Sequence, residues 1–125
     1  MAEYKAWIQK AEDDLNWTKS SLESNIWYGA CFTSQQVVEK SLKGYLLAQD
    51  KQLRKIHDVV TLLKDCVELD PGFEEIRLSI ESVYPYYVET RYPSYDEIDR
   101  FTKEQAEEAY EHAKTVLEFV KQKLL

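Results

Sequence analysis

Glycine and proline are scarce, three of each in 125 residues. So few turn formers disfavour an all-β chain, which needs a tight turn between every pair of strands. Long apolar runs are absent too. None approaches the roughly 20 residues that a bilayer-spanning helix requires, so no membrane association is expected. The two cysteines, Cys31 and Cys66, fall inside helical patterns with no ligand-like neighbour. They read as buried thiols of a reducing compartment rather than a disulfide or a metal site. The opening stretch MAEYKAWIQKAEDD is amphipathic and acidic, unlike a signal peptide, and a cytoplasmic location is expected. There is no glycine-rich phosphate loop, no paired Cys/His spacing and no nucleophile elbow. No metal and no cofactor are expected, and nothing in the residues compels an enzyme.

What is present is helical periodicity. Hydrophobic residues make up 44% and charged residues 31%, a globular balance rather than a disordered one. The length fits one domain, residues 1–125. A first helix is expected from about Glu3 to Leu22, with Tyr4, Trp7, Ala11, Leu15, Thr18 and Leu22 on one face. Ser24-Asn25 reads as a turn and N-cap for a second helix, Trp27 to Ala48. That helix carries a buried stripe of Trp27, Cys31, Ser34, Val38, Leu42 and Tyr45. Beside it lies a seam of mostly small residues, Ala30, Val37, Ser41, Gly44 and Ala48, which would let another helix approach closely. The connector 49–56 leads to a third helix opening near His57-Asp58. Asp70-Pro71-Gly72 is a stop and restart. A fourth helix follows with Phe73, Ile76, Ile80, Val83 and Tyr87 on one side, bent near Glu81 to Tyr84 by Pro85. The pattern Thr102-x-x-Gln105 is a capping box that opens the last helix, whose stripe is Ala106, Ala109, Ala113, Val116, Val120 and Leu124. The fold expected is all-α, an up-and-down antiparallel bundle of five helices, four long and one short.

Charge is distributed unevenly. The chain carries −7 overall, which argues against non-specific binding to nucleic acid. Between Lys40 and His57, however, Lys40, Lys43, Lys51, Arg54 and Lys55 face Asp50 alone. On the second helix Gln36, Lys40, Lys43 and Leu47 share one side. This is either a solvated face, with Glu39 and Lys43 paired at i,i+4, or a polar ledge for a phosphate or a partner. His57 could contact an anion beside Arg54 and Lys55, or serve only in capping. The acidic doublet Asp13-Asp14 reads as solvated. From Tyr84 to Tyr95 the run YPYYVETRYPSY holds five tyrosines, suited to stacking a base or to packing at an interface.

Three motifs stand in order: Gln35-Gln36-x-x-Glu39-Lys40-x-Leu42-Lys43, Ile56-His57-Asp58, and Arg91-Tyr92-Pro93. Together, on a small helical bundle, they resemble the HEPN family (higher eukaryotes and prokaryotes nucleotide-binding domain), and the likeness runs from Trp7 to the last helix. The resemblance implies a nucleotide-binding or partner-docking module, acting as a homodimer with a minimal nucleotidyltransferase in a toxin–antitoxin-like pair. It also implies a nucleotide-binding site at Lys40, Lys43, His57, Asp58, Arg91 and Tyr92. Members that are RNases share an Arg-x4–6-His pattern. Here only two residues separate Arg54 from His57, and no other arginine stands four to six residues before a histidine. The alternative is therefore a metal-independent RNase using His57 with Arg54 or Arg91, with RNA as its ligand.

Overall fold

The computed structural model describes residues 2–87 and 101–125. Its elements are α1 (Ala2–Glu23), α2 (Trp27–Ala48), α3 (Val59–Leu69), a 3-10 helix (Pro71–Ile76), α4 (Arg77–Val83) and α5 (Lys103–Lys123). All the regular structure among the described residues is helical, as expected.

The turn after α1 shows how so few glycines suffice. Asn25 takes the left-handed conformation at φ +59. Its N–H bonds the Leu22 carbonyl, and the Ile26 N–H reaches back to the Ser21 carbonyl at 2.8 Å. That pair of bonds is a Schellman closure of α1. Ser24-Asn25 therefore stops the first helix instead of capping the second, whose N-cap is Ile26 with no side-chain hydrogen bond. The end of α2 repeats the device: Asp50 stands at φ +60, Asp50 N–H bonds Leu47, and Lys51 N–H bonds Leu46. Asn and Asp tolerate this backbone better than other non-glycine residues, so each takes the place that glycine usually fills.

Between these stops, α1 and α2 form an antiparallel hairpin. Trp7 and Ile8 meet Gly44, Asp14 meets Lys40, and Thr18 meets Thr33, so partners on α2 descend as α1 ascends. A Cβ at Gly44 would lie 2.8 Å from the Ile8 terminal methyl and 3.5 Å from the Trp7 Cβ. The small seam is thus the surface on which α1 lies.

Asp58 caps α3, its Oδ1 accepting from the N–H groups of Val60 and Thr61 at 3.0 Å each. Asp70 ends α3 and caps the 3-10 helix, taking the Gly72 N–H on one oxygen and the Lys123 ammonium on the other. Those two donors, the ammonium foremost, hold its carboxyl below the usual carboxylate range. The segment after Pro71 is a 3-10 helix before it becomes α4, a split not anticipated from the pattern. Pro85 interrupts the helical run: α4 stops at Val83, Tyr84-Pro85 form a turn, and helical backbone resumes at Tyr86-Tyr87. A proline there cannot supply the N–H that would continue the helix. The capping box of α5 closes as expected, with both bonds at 3.1 Å.

The core gathers the expected stripes. Phe73 is fully buried, with the Tyr45 ring 4.5 Å away and the Phe119 ring edge-on at 5.0 Å. Cys31 and Cys66 are both buried, and burial pushes the Cys66 thiol up to about 12, so it is un-ionised at neutral pH.

Gly44 gives a direct test of the hairpin. Gly44→Val should destabilise the protein by about 1–3 kcal/mol through overpacking against α1. Gly44→Ala should stay within about 1 kcal/mol, because the Ile8 methyl can swing away and alanine is the better helix former. Urea unfolding of the two variants distinguishes these outcomes.

Candidate functional site

The i,i+4 spacing of Gln35, Glu39 and Lys43 sets three polar side chains along one edge of α2, and all three are buried. The Lys43 ammonium lies 2.9 Å from Glu39 Oε2. Across from α2, the connector brings in His57, whose Nδ1 is 3.1 Å from both oxygens of Glu39. Gln35 Nε2 donates to the His57 backbone carbonyl at 3.1 Å and sits 3.5 Å from Glu39 Oε1. Gln36 in turn donates to Gln35 Oε1. His57 differs from its partners in being half exposed, 52% against 4% for the Glu39 side chain. One face of its ring stacks on Tyr87, with centroids 4.6 Å apart and planes 13° from parallel. The result is an imidazole held from behind by a desolvated carboxylate, from one side by an aromatic ring, and open to water on the remainder.

Other residues that the motifs single out are placed differently from their expected roles. Lys43 does not lie on a solvated face or an open ledge. The Trp7 indole covers it at 5.6 Å and Glu39 takes its charge. Periodicity put Lys40 and Lys43 opposite the apolar stripe, but α1 lies along that side and closes it. Lys40 is ion-paired with Asp14, which is itself buried. The acidic doublet therefore divides: Asp13 is exposed and accepts from Gln9, while Asp14 faces inward. Asp58 spends its side chain on the α3 N-terminus. Arg54 turns to Asp65 of α3 at 2.8 Å and, with Lys51, Gln52, Glu68, Leu46 and Leu69, lines a cleft of about 280 Å³ that His57 does not enter. Of the five cations between Lys40 and His57, only Lys51 and Lys55 make no ion pair among the described residues. Arg91 and Tyr92 lie outside the described residues.

Sequence reasoning paired Glu39 with Lys43 but missed that His57 joins them, and it missed Tyr87 and Asp14. The joining contact spans 18 residues of sequence, and no local pattern encodes it. Among the described residues no group of three or more His, Cys, Asp and Glu gathers as metal ligands. None of their helices is long and apolar enough to cross a membrane.

A helical hairpin carrying a buried Gln-Glu-Lys edge, with a connector histidine docked on it, defines an all-α domain with a polar site. The chain belongs to the HEPN family: the HEPN domain model matches residues 4–123. It is 31% identical to "Putative toxin MJ1304" of Methanocaldococcus jannaschii, over 94% of this chain and 85% of that one. Two crystal structures are closely similar. TT1696 from Thermus thermophilus has a TM-score of 0.89 and 29% identity, covering 98% of this chain and 99% of the other. ST0689, an archaeal HEPN homologue, has a TM-score of 0.83 and 26% identity, covering 98% of each chain.

The burial of Lys43 changes what its removal should do. Lys43→Ala leaves the Glu39 carboxylate desolvated and short of a partner, an arrangement that costs about 3–5 kcal/mol when nothing replaces the lost charge. Chemical denaturation should show a loss of that order. A variant as stable as the wild type would place Lys43 in solvent.

Proposed function

We propose that this protein is a HEPN module of a toxin–antitoxin-like pair that binds a nucleotide at His57. It acts as a homodimer, with a minimal nucleotidyltransferase as its protein partner. The observation that carries this reading is the half-exposed imidazole of His57, clamped by Glu39 and stacked on Tyr87. An oriented ring nitrogen serves a phosphate or hydroxyl, and the adjoining aromatic surface suits a base. Lys55, exposed beside His57, adds a cation. Arg91 and Tyr92 complete the proposed contacts. Lys43 and Asp58 support the site from behind, through Glu39 and the α3 N-terminus, while Lys40 pairs with Asp14 on the α1 side of α2. The name of the Methanocaldococcus relative supports the toxin–antitoxin context.

The RNase alternative draws on the same oriented histidine, but Arg54 is engaged by Asp65. That reading therefore rests on Arg91 as the arginine, and it expects RNA cleavage that persists in EDTA and vanishes in His57→Ala.

Titration of the labelled protein with ATP, GTP and a short RNA, followed by amide NMR with the oligomer mass measured in parallel, tests the proposal. Shifts are expected at Lys55 to Asp58 and at Tyr86 and Tyr87, on a dimer, and His57→Ala should abolish them. A silent titration with all three ligands would overturn it.

A further inference from the structure

We infer that Glu39 is the positioning residue of the His57 site, and that Lys43 acts through Glu39 as a buried counter-charge rather than by touching a ligand. The inference rests on the reading of His57 as the ligand-facing group, and it assigns the residues that set what His57 presents.

A carboxylate can only accept hydrogen bonds, and both Glu39 oxygens lie 3.1 Å from His57 Nδ1. Nδ1 therefore carries a proton whether the ring is neutral or charged. Nε2 is left as the nitrogen that changes, an acceptor in the neutral ring and a donor in the charged one. In water a neutral imidazole favours the opposite tautomer, so Glu39 imposes a state the ring would not choose alone. The ring's other freedoms are removed as well. Tyr87 fixes its plane, Gln35 fixes its backbone carbonyl, and the Asp58 cap fixes the start of α3 one residue on.

The pair behind it is costly to bury. The Glu39 and Lys43 side chains are 4% and 6% exposed, and two charges so desolvated stabilise a fold no better than well-packed apolar residues of similar volume. Their arrangement instead fits the orientation of a partner. Lys43 can only donate, so it requires an oxygen from its neighbour at position 39. Glu39 has two oxygens and satisfies both the ammonium and Nδ1. An amide at that position has one. Lys43 would take that oxygen and turn the NH2 to the other position, also 3.1 Å from Nδ1, where it opposes an Nδ1–H and favours a ring that accepts on Nδ1 and carries its proton on Nε2.

That chemistry makes a sharp test. Two-bond proton–nitrogen NMR correlations of the neutral ring report which nitrogen is protonated, independently of any ligand. Wild-type His57 should show Nδ1–H. Glu39→Gln should switch it to Nε2–H while the amide spectrum elsewhere stays folded, and ATP affinity should fall at least tenfold. Adding Lys43→Met to Glu39→Gln frees the amide to rotate, and the Nδ1–H form should return. Wild-type His57 with Nε2–H, or Glu39→Gln with both tautomer and ATP affinity unchanged, would overturn the assignment. A tautomer switch in a protein whose wild type binds none of ATP, GTP or RNA would sustain Glu39 as the residue that orients His57 and overturn the nucleotide reading.

Discussion

A carboxylate stripped of water must find its partners inside the protein, and Glu39 finds an ammonium, an imidazole and an amide. Much of the site's geometry follows from meeting that demand. Lys43 comes from the next turn of the same helix, so the pair forms wherever α2 forms. His57 comes from the connector, so that segment can leave the end of α2 only along a path that returns to Glu39. The left-handed turn at Asp50 begins this path, and the Asp58 cap ends it. Trp7 covers Lys43, which requires α1 to lie close against α2, and the bare backbone at Gly44 permits the approach.

The arrangement also explains where the charge goes. The cluster of cations between Lys40 and His57 looks, in the sequence, like a basic patch on an acidic chain. In three dimensions Lys40, Lys43 and Arg54 are each answered by an acid from another turn or helix, Asp14, Glu39 and Asp65. Desolvation makes such answers obligatory for Lys43. Among the described residues, what faces outward near His57 is the exposed Lys55 and the ring of Tyr87 stacked on the imidazole. A small ligand held by one oriented nitrogen and a stacked ring fits it better than a long polyanion, whose affinity would come from many unpaired cations.

Most of the fold was legible in the sequence because it is written in local patterns. The stripes on α1, α2 and α5, the stop at Asp70-Pro71 and the capping box at Thr102 each depend on residues within one or two turns of one another. The site was legible only in part. Spacing pairs Glu39 with Lys43, but periodicity says which residues share a face and not what covers it. Whether that edge meets water or α1 is decided by the hairpin, and its meeting with His57 by a connector without repeating structure. The same limit misassigned Asp14, which looks solvated beside Asp13, and Ser24-Asn25, where residues suited to a cap close the helix before them.

The buried charge pair thus serves the site rather than the stability of the bundle. Replacing both charges at once, with Glu39→Met and Lys43→Leu together, separates the two roles when unfolding and ATP affinity are measured on the same preparation. Stability is expected within about 2 kcal/mol of the wild type, or above it, because paired burial gains little over apolar packing. ATP affinity should fall at least tenfold. A folded double variant that binds ATP as tightly as the wild type would contradict it.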